Sequence, residues 1–167
     1  MSFSLCKPSS LALSVLLAVA SLSHVHAQEF VITDTETATG KFVGVNLPSE
    51  DFLEDVVVTT GELPEEHQYI YGIQVNEHDI TFHGNVNVDA NATTPGAFAY
   101  GLRAQSNGRL TVLGDTIIHA STLAPSAGLD GNAVGVLANN ASIDLSAGDT
   151  SITIDAGSSR PYGFQLV

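Results

Sequence analysis

Apolar and polar residues alternate along this chain in short runs. In YGIQVNEHDITFHGNVNV, residues 71–88, the pairs Ile73/Val75, Ile80/Phe82 and Val86/Val88 each stand two positions apart, with turn-forming residues between the pairs. A period of two is that of a half-buried strand, and the runs are too short for an amphipathic helix. The stretch recurs. YGLRAQSNGRLTVLGDTIIHA from Tyr100 repeats it, with Gly101 in the place of Gly72, Leu110 and Val112 in the places of Ile80 and Phe82, Gly114 in the place of Gly84, and Ile117 opening the third alternation. VGVLANNASIDLSAGDTSITIDA from Val134 repeats it again through Gly135, Ile143, Leu145, Gly148, Ile152 and Ile154. Another copy begins at YGFQLV, and a fainter one precedes them all at FVGVNL.

The opening glycines, Gly44, Gly72, Gly101, Gly135 and Gly163, are spaced by 28 to 34 residues. Three strand pieces per unit at that period predict an all-β chain wound as a right-handed parallel β-helix of about four to five coils, because each piece has a counterpart to stack on in the next unit. Each piece of a unit then belongs to a different face of one coil. The glycines serve either tight corners at positive φ or close approach of backbone. Asn76, Asn107, Asn139 and Asn140 fall after the first strand of their units, at a corner where stacked amides can ladder. Coils are expected over residues 44–167, with 28–43, polar after its first strand, as an N-terminal cap. An antiparallel sandwich also shows short strands at close spacing. It calls for two-residue hairpin turns, however, and the candidates, Asn107-Gly108 and Asp130-Gly131, sit at different places in their units. Length varies most in NATTPGAFA and STLAPSAGLDGNA, before the next opening glycine, and insertions gathered at one corner are what a solenoid tolerates.

The N-terminus follows other rules. Lys7 is followed by an apolar run, Leu11 to Leu22, and by VHA ending at Ala27, the three-part pattern of a secretory signal peptide over residues 1–27 cleaved between Ala27 and Gln28. The run is short for a membrane span. The single cysteine, Cys6, lies inside the signal, so the exported product is expected to have no disulfide. Five basic residues face 18 acidic ones, for a net charge of −13, and cleavage removes Lys7 and no acid. Nucleic acid and anionic membrane are therefore poor partners. The acid-rich stretch 50–66 reads as a solvated face that discourages edge pairing, since it lacks the spacing of a calcium loop.

Catalytic constellations are sparse. His78 and His83 in HDITFH stand on opposite faces of a continuous strand, which reads as polar outward residues and not as zinc ligands. Asp79 beside His78 has no serine in a nucleophile elbow to complete a triad. No cofactor or metal is expected. A polysaccharide lyase or hydrolase needs clustered acids and a basic residue on one exposed face, for which Asp115, Asp149 and Asp155 with Arg103 and Arg109 are the candidates. Asp115 and Asp149 occupy equivalent places after Gly114 and Gly148 and should stack, and stacked like charges usually mark solvated corners.

The export signal, the acidic cysteine-free mature chain and the imperfect units running from YGL through LTVLGDTIIHA to AVGVLANNASIDLSAGDTSITI resemble the start of a type V autotransporter passenger domain of the pertactin-like, pectin-lyase-like kind. The resemblance covers about residues 30–167, most clearly from Tyr69. It implies a precursor taken up by the Sec export machinery, whose passenger reaches the cell surface through a C-terminal outer-membrane barrel and there plays a structural or adhesive role toward host surfaces or sister cells. A pectin-lyase-like enzyme and a non-functional remnant are the alternatives. No barrel or linker helix lies within these residues and the last unit is incomplete, so the chain is expected to be an N-terminal fragment or the product of a truncated gene. A product ending in YGFQLV, without a polar cap, is expected to aggregate or pair end to end.

Overall fold

The computed structural model describes residues 27–32, 50–60, 69–123, 131–157 and 161–167. They form thirteen strands and, among them, no helix. The strands fall into three parallel sheets, taken here in the order in which one coil visits them. Sheet 1 stacks β4 (Tyr69–Asn76), β7 (Phe98–Gln105), β10 (Ala133–Asn139) and β13 (Tyr162–Leu166). Sheet 2 stacks β2 (Glu50–Phe52), β5 (Asp79–Phe82), β8 (Arg109–Val112) and β11 (Ser142–Asp144). Sheet 3 stacks β1 (Gln28–Ile32), β3 (Val56–Thr60), β6 (Val86–Ala92), β9 (Thr116–Thr122) and β12 (Thr150–Asp155). Every pairing is parallel and joins one unit to the next, so the chain is a β-solenoid of about three turns. The first of the glycines from which four to five coils were expected, Gly44, lies outside the described residues.

Parallel sheets ordinarily need cover on both faces. The solenoid supplies it on the inner side by turning its three inner faces onto one another. Register then stacks like on like: Ile73 on Leu102 and Val136, Ile80 on Leu110 and Ile143, Val58 on Val88, Ile118 and Ile152. Phe52 and Phe82 stack inside the tube with ring centroids 5.0 Å apart. A single coil has too little apolar area to hold itself together; its core is completed by the coils above and below.

One assignment differs from the alternation seen in the sequence. Thr116, not Ile117, is in register with Val86 and is buried, while Ile117 points outward and is 53 % exposed. The turn decides this. Gly84 and Gly114 stand at the same corner, and the second residue after each glycine is the first to point inward, whichever residue it is. A one-residue shift would turn every side chain of β9 to the wrong face.

Four of the opening glycines, Gly72, Gly101, Gly135 and Gly163, lie inside strands of sheet 1, and none of them is among the described residues with positive φ. Close approach is what requires them. A Cβ at Gly101 would overlap Ile118 Cγ2 and stand 2.6 Å from the carbonyl oxygen of Gly135; at Gly135 it would stand 2.5 Å from Ile152 Cγ2. Sheet 3 thus drives its largest inward side chains into a row of missing side chains on sheet 1. Past the last coil the row has no such neighbour, and a Cβ at Gly163 would meet nothing. There Phe164 and Leu166 are 63 % and 83 % exposed, and with Val136, Ala138, Ile143 and Leu145 they line a cleft of about 330 Å³.

Gly101→Val should lower the free energy of unfolding by about 1–3 kcal/mol through overpacking, and Ile118→Ala by about 2–5 kcal/mol through loss of core volume. Because the two side chains would claim the same space, the double variant should lose less than the sum, which urea titrations followed by circular dichroism would measure. Strict additivity would show that the two sheets do not meet at this point.

Candidate functional site

The corner between sheets 2 and 3 is built from Gly84-Asn85, Gly114-Asp115 and Gly148-Asp149, with Glu54-Asp55 in the preceding coil. The side chains of Asp55, Asn85 and Asp115 each accept a hydrogen bond from the main chain one coil further on. The N–H of Asn85 donates to Asp55 Oδ1 at 2.7 Å, that of Asp115 to Asn85 Oδ1 at 2.9 Å, and that of Asp149 to Asp115 Oδ1 at 3.0 Å. The partners are 30 or 34 residues apart in sequence. Glycine is required beside them because a Cβ at Gly114 would lie 2.5 Å from the carbonyl oxygen of Gly84. An amide donor between neighbouring carboxylates is what lets Asp115 and Asp149 stack without direct charge-on-charge contact.

The remaining candidate acids and bases do not gather around them. Asp155 lies on sheet 3 beside Ser121, Arg103 lies on sheet 1, and Arg109 stands 4.0 Å from Asp79 at the start of sheet 2. His83 Nε2 is 4.0 Å from Asp51, while the main chain of His78 accepts the N–H of Arg109 at 2.8 Å. Among the described residues no three His, Cys, Asp or Glu side chains come together as metal ligands would.

At the corner between sheets 1 and 2, Asn76 and Asn139 fall in one row with Gln105 between them. Asn107 stands in the adjacent row with Asn140, whose Nδ2 donates to Asn107 Oδ1 at 3.3 Å. Ser106, Asn107 and Asn140 have φ of 54°, 66° and 46°, the left-handed region that asparagine tolerates. Of the signal-cleavage pair, Ala27 precedes β1 and Gln28 begins it, its N–H donating to the carbonyl of Asp55 at 2.6 Å; residues 1–26 lie outside the described residues.

Two outer faces carry organised polar or aromatic groups. On sheet 3, His119 Nδ1 pairs with Asp89 Oδ1 at 3.0 Å and Ser121 Oγ donates to Asn91 Oδ1 at 2.9 Å, two contacts side by side between β6 and β9. On sheet 1, Tyr69 and Tyr71 of β4 lie under Phe98 and Tyr100 of β7, with centroids 5.0 and 5.1 Å apart between coils and planes within 12° and 23° of parallel. Along each strand the rings are 6.3 and 6.4 Å apart and within 8° of parallel. The Arg103 guanidinium lies 4.6 Å from the Tyr71 centroid and 5.8 Å from that of Tyr100, a cation–π arrangement. Sequence reasoning passed over this face. Its signal is an aromatic residue, any residue, a second aromatic residue and glycine, present as YIYG and again as FAYG one unit later.

No protein-family model, no curated protein and no solved structure matches the chain. Fold and faces together define a parallel β-solenoid whose corners are tied by side chains and whose outer sheet 1 bears a four-ring aromatic cluster.

Asn85→Ala should cost about 0.5–1.5 kcal/mol, and hydrogen exchange should quicken at the amide of Asp115 while that of Thr116, bonded to the carbonyl of Asp149 at 2.8 Å, keeps its protection. Equal quickening at both would show that the whole corner has opened. Burial pushes the phenols of Tyr71 and Tyr100 above the ordinary value of 10.0, against the lowering influence of Arg103. The fold favours the neutral phenols, so their contribution to stability is complete below pH 10.0 and fades as pH rises through the raised values. Ultraviolet titration should show a late-ionising component that Tyr71→Phe and Tyr100→Phe each diminish.

Proposed function

We propose that this chain is an exported, surface-exposed passenger segment of the autotransporter kind, with a structural and adhesive role in which a stiff stack of coils holds its outer faces toward a host surface or sister cells. The observation that carries the reading is the ladder of side-chain-to-main-chain hydrogen bonds joining coil to coil at one corner. It makes a rod whose coils each brace the next, and a rod is suited to display. The sequence adds the signal pattern and the acidic, cysteine-free mature chain, which suit export and folding outside the cell without an oxidant. In a solenoid each coil templates the next, so such a chain folds progressively as it emerges. Two of the three candidate catalytic carboxylates, Asp115 and Asp149, stand in the corner ladder, which favours a non-catalytic role over a polysaccharide-cleaving one.

The test uses the native gene product in its own cells. Antibody against the solenoid should label intact cells, externally added protease should remove the label, and a deletion strain should adhere less to host cells or to itself. Purified protein should release no unsaturated uronides from polygalacturonate in the presence of calcium. Labelling only after permeabilisation defeats the surface assignment, and uronide release replaces the adhesive role with the enzymatic one.

A further inference from the structure

The aromatic cluster on sheet 1 has more surface chemistry than coil stacking needs. Its rings are nearly parallel but 5.0 and 5.1 Å apart between coils, farther than rings in full face contact, so they overlap like shingles and part of each face is left open. Tyr69, at the edge, is 46 % exposed. Beside the rings, Gln74 is only 7 % exposed, yet its Oε1 has no hydrogen-bond partner. It stands in register with Arg103, whose Nε also lacks one, and Asn76 Oδ1, two positions along β4, makes a third. Polar side-chain atoms buried in this way are nearly always satisfied in folded proteins. Here two acceptors and one donor without protein partners sit next to an apolar ledge.

We propose that this outer face of sheet 1, formed by Tyr69, Tyr71, Phe98 and Tyr100 with Arg103 and Gln74, binds a neutral glycan chain. A pyranose ring offers what the face lacks: a flat C–H surface for the exposed ring faces, oxygens that accept from the Arg103 guanidinium, and hydroxyls for Gln74 Oε1 and Asn76 Oδ1 once those side chains, covered in the unliganded protein, turn outward. The ring spacing between coils matches the length of one sugar unit, so successive units can follow successive coils. Neutral sugars fit better than polyanionic ones, because the chain carries 18 acidic residues against five basic ones and repels a polyanion at long range. An extended peptide would add along the edge of β4, the outermost described strand of sheet 1, and would leave the ring faces unused. The proposal rests on the adhesive reading for its biological meaning, since it names the ligand class such an adhesin would take, but it is tested separately.

The full chain is titrated with cellohexaose and with chitohexaose, and with polygalacturonate as the acidic probe, by calorimetry and by tyrosine fluorescence. Binding of at least one neutral oligosaccharide is expected. Tyr69→Ala and Arg103→Gln should each weaken it about tenfold, the scale of one lost aromatic or charge-assisted contact, whereas Ile117→Ala on the outer face of sheet 3 should leave it unchanged. Circular dichroism of each variant confirms that the strands are intact; should Tyr69→Ala unfold, Arg103→Gln and Tyr69→Leu carry the test. No binding to either neutral probe, binding indifferent to these substitutions, or tighter binding of polygalacturonate overturns the proposal. A surface-displayed, adhesive protein that ignores neutral glycans sinks this inference alone, and glycan binding by a protein found only inside the cell sinks the function proposed above and spares this one.

Discussion

The meeting of sheets 1 and 3 at the glycine row is the constraint on which the other features depend. Ile118 and Ile152 reach so far across the tube that the strand opposite has no room for a Cβ at Gly101 or Gly135. Close packing there fixes the distance between two of the three faces, and the third sheet follows by covalent connection. Since the glycines come once per unit, the same contact recurs at Gly72 with Val88, Gly101 with Ile118 and Gly135 with Ile152, and holds those coils in register. A slip of one residue would put a side chain where none fits, so register in sheet 1 is enforced by steric exclusion as well as by apolar pairing.

The corners act on the same problem with polar chemistry. Asp55, Asn85, Asp115 and Asp149 form a column in which the side chains of the first three each take up a main-chain donor that a sharp turn would otherwise leave to water. In a chain with 18 acidic residues and five basic ones, this places carboxylates in a stack without like charges meeting directly. Arg109 near Asp79 and His119 against Asp89 place opposite charge, or a neutral donor, between further acids on the outer faces. Exposed pairs of this kind add little stability singly; their effect is to let an acidic surface follow a narrow tube.

The outer faces differ because the repeat is imperfect. Tyr71 and Tyr100 are followed in the same row by Val134 and then Tyr162, so the aromatic cluster is confined to two coils. Such a break matters little to the core, since outward side chains do not fill the tube. It matters to any surface that presents itself to a partner, and the proposed glycan site lies where the pattern of two aromatics before the glycine holds.

Much of the architecture was legible in the linear pattern. Alternation at a period of two, three runs to a unit and glycines at a near-constant interval suffice for three stacked parallel sheets, because an apolar strand face must find its counterpart one unit later and Gly72, Gly101 and Gly135 mark places where something comes close. The equivalence of Asp115 and Asp149 was visible for the same reason. The phase of β9 was not: Thr116 is polar and Ile117 apolar, so hydrophobicity alone points the wrong residue inward, and only the turn at Gly114, set by stacking on Gly84, reverses the choice. Asn107 likewise looks like a neighbour of Asn76 and Asn139 by type, yet a four-residue turn with two left-handed residues moves it into a different row, beside Asn140. The sequence by itself therefore determined the period, most of the strand faces and the acidic character, all of which are local or additive properties. Tertiary structure decided which side chains share a row and which rings, amides and guanidinium meet on one face, because those depend on how residues about thirty positions apart are brought into register, and no local pattern encodes that offset.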